Sequence, residues 1–212
     1  MKKQKRIVTL LLALALTLGL ATVASAATVR DFPDYDSGAW YADAVRSAVE
    51  NGLLRGDDKG LLRPDGYLTR AEMAAIVNRS FGTYQKADIT NYRDVKPGAW
   101  YYEDVAMAVH MGTYNGTSTS TMDPDEPITR QEAMTVVARA LQLDLEDHEE
   151  PSLSRFRDRA DVSAWALPYV RAMVGSDYIH GNEKRELAPR DNITRAEFAQ
   201  IFHNIIQEYI VK

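Results

Sequence analysis

The chain has no cysteine among its 212 residues. No disulfide can support the fold, and no thiolate is available as nucleophile or zinc ligand. A bacterial lipoprotein is excluded as well, because no cysteine follows the one apolar segment near the N-terminus. An excess of positive charge is also missing: 25 Lys and Arg face 30 Asp and Glu, a formal charge of −5. An acidic chain lacks the basic patch that nucleic-acid binding requires. Long apolar runs are absent with one exception. Ile7–Val23 follows Lys2, Lys3, Lys5 and Arg6 and ends at Ala24-Ser25-Ala26, the small-x-small form of a signal peptidase site. Residues 1–26 therefore read as a secretory signal. The stretch is short for a membrane span, so no membrane association is expected once it is cleaved. Cleavage removes four positive charges and no negative ones, which makes the exported chain more acidic still.

Recognisable catalytic patterns are missing too. His110, His148, His180 and His203 lack metal-ligand spacing. No carboxylate pair is singled out as a glycosidase would need. Asp34-Tyr35-Asp36 resembles the start of a calcium loop whose remainder is absent. The chain is expected to be no enzyme, with no catalytic residue, no metal and no cofactor.

What is present is repetition. Thr69-Arg70-Ala71-Glu72 returns as Thr129-Arg130-Gln131-Glu132 and as Thr194-Arg195-Ala196-Glu197. Trp40, Trp100 and Trp165 each lie 29 residues before the Thr, Gly56, Gly116 and Gly181 each lie 13 before, and Pro64, Pro124 and Pro189 each lie 5 before. Four landmarks in register over three copies define an internal repeat. Thr followed three residues later by Glu, ahead of an apolar run, is a capping box, so a helix starts at each Thr. Met73, Ile76, Val77 and Phe81 continue the first at helical spacing; Ala133, Val136, Val137, Ala140 and Leu141 the second; Phe198, Ile201, Phe202 and Ile205 the third.

In chain order, the copies run over residues 29–82, 91–143 and 154–212. A first helix from about Tyr41 to Asn51 carries Tyr41, Ala44, Val45, Ala48 and Val49, with Gly52 as its left-handed cap. Its counterpart carries Val105, Ala108 and Val109 and is capped by Gly112. The third copy has Asp177 at that place, so its first helix is expected to end differently, at Gly175. Pro168 is acceptable in its first turn. An acidic linker, 144–154, absorbs the five extra residues between copies two and three. A unit of about 60 residues is marginal alone, so the copies are expected to share one core. They fill the chain after the signal, so no cargo domain is expected within it.

These landmarks resemble the S-layer homology family. The resemblance implies an all-α fold of three helix–loop–helix repeats in a pseudo-threefold arrangement around a central three-helix bundle. It also implies non-covalent attachment to the bacterial cell wall, with the protein secreted and held at the cell surface. The implied partner is a secondary cell-wall polysaccharide, often pyruvylated, bound in grooves between repeats. Peptidoglycan is the alternative, and envelope or S-layer proteins are further partners.

Arg70, Arg130 and Arg195 stand in the first helical turn, where the macrodipole is unfavourable to a cation. A guanidinium can hold a glycan carboxylate bidentately, and that reading is preferred over an ion pair to Asp31, Asp94 or Asp158. Trp40, Trp100 and Trp165 suit both packing between repeats and stacking on a sugar. Gly56, Gly116 and Gly181 read as turns with positive φ, with close approach of a sugar as a second benefit. Asp31, Asp94 and Asp158 precede the Trp by 9, 6 and 7 residues; capping, pairing with Arg and accepting sugar hydroxyls all remain open for them. The capping Thr and Glu are structural. A purely structural assembly module would keep the caps and core and would not need the Arg.

Overall fold

A computed structural model describes residues 27–146 and 153–210. The signal sequence expected at 1–26 and part of the acidic linker lie outside the described residues. Six helices follow in order: α1 (Ala42–Glu50), α2 (Arg70–Phe81), α3 (Tyr102–His110), α4 (Arg130–Ala140), α5 (Leu167–Gly175) and α6 (Arg195–Ile210). Three isolated bridges occur, but no strand is present among the described residues. The fold is all-α.

The second helix of each copy starts where its capping residues dictate. The Thr69 N–H donates to Glu72 Oε2 at 2.9 Å, and the Glu72 N–H donates to Thr69 Oγ1 at 3.2 Å. Thr194 and Glu197 repeat this at 2.8 and 3.2 Å. Glu132 is used more heavily: one carboxylate oxygen accepts both the N–H of Thr129 at 2.9 Å and its hydroxyl at 2.6 Å.

The first helices share one ending, and here the expectation for the third copy is corrected. Gly52 and Gly112 adopt φ of 69° and 70°, and Asp177 adopts the same left-handed conformation at 62°. The Tyr178 N–H returns to Met173 O at 3.0 Å, as Leu53 does to Ala48 O at 2.8 Å and Thr113 to Ala108 O at 3.1 Å. The helix reaches Gly175, yet its cap is the usual one, because a short polar side chain tolerates this backbone region.

The described chain forms two compact units, one holding the residues up to Tyr67 and those from Ile193 onward, the other Leu68–Asn192. In the first unit α1 packs on α6. Val45, Val49, Phe198, Phe202 and Ile205 are buried there, with the two phenyl rings 5.0 Å apart. In the second, α2 packs on α3 and on α4, and α4 packs on α5. Met73, Val77, Ile128, Met134, Val137 and Met173 are fully buried, each contributing about 1.5–3 kcal/mol by leaving water. A second helix therefore covers the first helix of another copy rather than its own. α2 of copy one covers α3 of copy two, α4 of copy two covers α5 of copy three, and α6 of copy three covers α1 of copy one.

Replacing Asp177 with Gly removes the conformational cost of a left-handed Asp. Asp177→Gly is expected to raise unfolding stability by about 0.5–1 kcal/mol, measured as a shift of the urea midpoint at constant slope.

Candidate ligand-binding site

Each copy builds its central loop around a carboxylate. Asp34 accepts the N–H of Leu62 at 2.9 Å and of Arg63 at 2.7 Å. Asp94 accepts the N–H of Met122 at 3.0 Å and of Asp123 at 2.6 Å. Asp158 accepts the N–H of Leu187 at 2.9 Å and of Ala188 at 2.7 Å. Arg63, Asp123 and Ala188, each just before the repeated Pro, are left-handed, with φ of 48°, 49° and 49°. The paired charge-assisted bonds hold them in a conformation that non-glycine residues otherwise avoid. Asp31 is the exception among the predicted aspartates. It is exposed, accepts the N–H of Thr28 at 2.7 Å, and caps the 3-10 turn Val29–Asp31. The place corresponding to Asp94 belongs to Asp34, which lies six residues before Trp40 as Asp94 does before Trp100.

The glycines are explained by contact more than by φ. Of the three, Gly181 alone has positive φ, at 76°. A Cβ on Gly56 would stand 2.4 Å from the Phe32 ring, on Gly116 2.5 Å from the Tyr92 ring, and on Gly181 2.5 Å from the Phe156 ring. That aromatic sits two residues before the clamping Asp in every copy.

The three arginines reach away from their own copies. Arg70 Nε donates to Met122 O at 2.8 Å, Arg130 Nε to Leu187 O at 2.8 Å, and Arg195 Nε to Leu62 O at 2.7 Å. These are the residues whose N–H groups the aspartates hold. Arg195 also donates to Arg55 O at 2.7 Å. Arg70, 6% exposed, gives Nη1 to Glu132 Oε1 at 2.8 Å and Nη2 to Asn115 O at 3.3 Å. Its guanidinium lies 5.3 Å from the ring centre of Tyr114, whose hydroxyl donates to Arg70 O at 2.8 Å. Burial pushes the Tyr114 phenol well above the usual range, so it stays a neutral donor. The sequence reading preferred an external carboxylate for these guanidiniums and left open an ion pair to Asp31, Asp94 or Asp158 in at least one copy. The structure instead commits at least three of the five N–H donors of Arg70 to the protein. The helix N-termini are likewise filled: the Arg70 and Ala71 N–H groups donate to Glu126 O and Pro124 O, and those of Arg130 and Gln131 to Asp191 O and Pro189 O.

A cleft of about 340 Å³ opens beside Arg70 in the second unit. Its lining brings together one predicted residue from each copy: Arg70 from the first, Gly116 from the second and Trp165 from the third. Thr113, Thr117, Glu132, Thr135 and Arg139 complete the polar wall. Trp165 is 52% exposed, and Trp40 and Trp100 are 65% and 62% exposed, so packing takes only part of each ring. Trp40 and Trp100 stand edge-on to the buried Tyr41 and Tyr101, with centroids 5.5 Å apart in each pair. Arg195 and Gly56 belong to the first unit and lie outside this cleft; Arg130, Gly181, Asp94 and Asp158 belong to the second unit and do not line it either. Sequence reasoning missed Asp34, the aromatic before it, Glu132 as the partner of Arg70, and Arg139. An aromatic-x-Asp pattern at Phe32, Tyr92 and Phe156 was the signal available for the first two.

Comparison with known proteins picks out the same three copies. The S-layer homology domain profile matches residues 31–74, 91–134 and 155–199. A surface-layer 125 kDa protein from Lysinibacillus sphaericus is 35% identical over 191 residues, covering 89% of this chain and 16% of that protein. A cellulosome-anchoring protein from Acetivibrio thermocellus is 25% identical, covering 73% of this chain and 35% of that protein. An amylopullulanase from Thermoanaerobacterium thermosulfurigenes is 26% identical, covering 80% of this chain and 9% of that protein. The chain thus spans a small part of the length of each.

Two measurements test the loop geometry. Asp34→Ala is expected to cost about 2–3 kcal/mol of unfolding free energy, since it strips two charge-assisted bonds, whereas Asp31→Ala costs less than about 1 kcal/mol. Arg70→Met leaves the buried Met122 carbonyl and Glu132 Oε1 without the Arg70 donors and is expected to cost about 2–4 kcal/mol. Lys at that position recovers little, because a point charge cannot replace the fork.

Proposed function

The chain belongs to the S-layer homology domain family, and on that premise we propose that it attaches non-covalently to the bacterial cell wall. In this reading it is secreted by way of residues 1–26, and copies 29–82, 91–143 and 154–212 act at the cell surface without catalysis. The ligand is an acidic secondary cell-wall polysaccharide, its acid supplied by a pyruvyl ketal. The observation that carries the proposal is the convergence of Arg70, Gly116 and Trp165, from three different copies, on one cleft of about 340 Å³. That volume suits one or two sugar rings. The exposed face of Trp165 stacks on the C–H face of a sugar, and Gly116 keeps the loop backbone low beside it. The same residue types at Arg130 and Arg195, Trp40 and Trp100, and Gly56 and Gly181 extend the contacts along one polymer. Several weak contacts on a single chain then add up through avidity. The surface-layer and anchoring names of the relatives are in keeping with this role.

Sedimentation with purified Gram-positive walls tests the proposal. The protein is expected to pellet with native walls and to lose most of that binding after mild acid removes the ketals. Trp165→Ala, a change at an exposed ring, is expected to weaken binding about tenfold. Equal binding before and after acid treatment overturns the carboxylate reading. Full binding to peptidoglycan stripped of polysaccharide assigns the site to peptidoglycan instead.

A further inference from the structure

The cleft proposed above needs a group that recognises an acid, and Arg70 is poorly placed to be that group alone. The residue is 6% exposed, and its guanidinium forms an ion pair with Glu132 at 2.8 Å and is spent on two backbone carbonyls. The pair sums to zero charge at that end of the cleft. Resting on the wall-polymer reading, we propose that Arg139 is the residue that selects a carboxylate-bearing sugar, while Arg70 is a positioning residue for the loop.

Three observations point there. First, Glu132, Thr135, Val136 and Arg139 all line the cleft. Their spacing of i, i+3, i+4 and i+7 places them on one stripe of α4. Arg139 stands two turns beyond Glu132, about 10 Å along the axis, and gives the lining a second cation against one carboxylate. Second, the Arg139 guanidinium lies 4.8 Å from the ring centre of Tyr169, on α5. Stacking over an aromatic face fixes the plane of the fork without consuming its in-plane N–H edges. Third, the hydroxyls on the neighbouring wall are already donating. Thr113 Oγ1 donates to Ala108 O at 3.0 Å, Thr135 Oγ1 to Gln131 O at 2.8 Å, and Thr117 Oγ1 to the Asp123 carboxylate. Their outward capacity is that of acceptors, which fits sugar hydroxyls and an amide N–H, not a bare anion. The ligand is therefore a neutral hydroxyl-rich ring that carries one carboxylate. The corresponding positions are Arg79 in the first copy and Asn204 in the third. The charge at this position belongs to individual copies, whereas the Arg of the capping tetrapeptide is common to all.

Two probes separate this inference from the reading beneath it: the methyl glycoside of pyruvylated N-acetylmannosamine, and the same glycoside without its ketal. Each is titrated into the full exported chain while the Trp165 indole N–H signal is followed by NMR, its assignment fixed by loss of that signal in Trp165→Phe. The wild-type protein is expected to prefer the pyruvylated probe about tenfold or more. Arg139→Gln is expected to abolish that preference while the weaker response to the neutral probe persists, and Arg139→Lys to retain part of it. Unchanged thermal midpoints in both variants establish that the fold is intact. Retention of the full preference by Arg139→Gln overturns the role of Arg139 and leaves the wall-polymer reading standing. No response of Trp165 to either probe in the wild-type protein overturns both.

Discussion

The backbone N–H and C=O of one residue per copy carry the architecture. The N–H groups of Leu62, Met122 and Leu187 are held by an aspartate of their own copy, and their carbonyls by an arginine of another. All three side chains are fully buried. A backbone amide in such a place must find both partners or suffer the full desolvation penalty. Using a charged group on each side makes the bonds strong and ties the loop of one copy to the second helix of another. The left-handed residue that follows, the repeated Pro, and the helix start that receives that Pro carbonyl all take their positions from this point.

The arginines show how a charge can serve two purposes at once. A cation in the first turn of a helix is unfavourable in isolation. Here the turn's own amides are already bonded to carbonyls, and the guanidinium is drawn out to a neighbouring loop. For Arg70 the nearest carboxylate is Glu132, the capping residue of α4, so the start of one helix neutralises the cation from the start of another. The cleft lies directly against this pair, and its walls are rigid because both partners are fixed by backbone bonds.

How much of this was legible depended on how local each interaction is. The capping boxes, the helix starts and the Gly52 and Gly112 caps are set by residues a few positions apart, and the spacing of Thr, Glu and Gly announced them. Asp177 was misread because Gly was treated as necessary for a left-handed cap, whereas Asp is tolerated there. Asp31 was chosen over Asp34 because the clamp joins residues about 28 positions apart, and the aromatic-x-Asp pattern that marks Asp34 went unread. The glycine positions were found, but the reason common to all three was an aromatic ring 24 or 25 residues earlier, with backbone freedom required only at Gly181. The partners of Arg70, Arg130 and Arg195 lie 52, 57 and 133 residues away. Periodicity can place such a side chain on a helix but cannot say which carbonyl it meets.

The exchange of helix partners between copies bears on the order in which the chain can fold. The apolar side of α1 is covered by α6, which emerges from the ribosome 153 residues after α1 does. Until it does, the N-terminal segment cannot complete its core, and closing so long a loop is slow. Pairing the copies in this way delays the tertiary structure of the first copy until the third has been made.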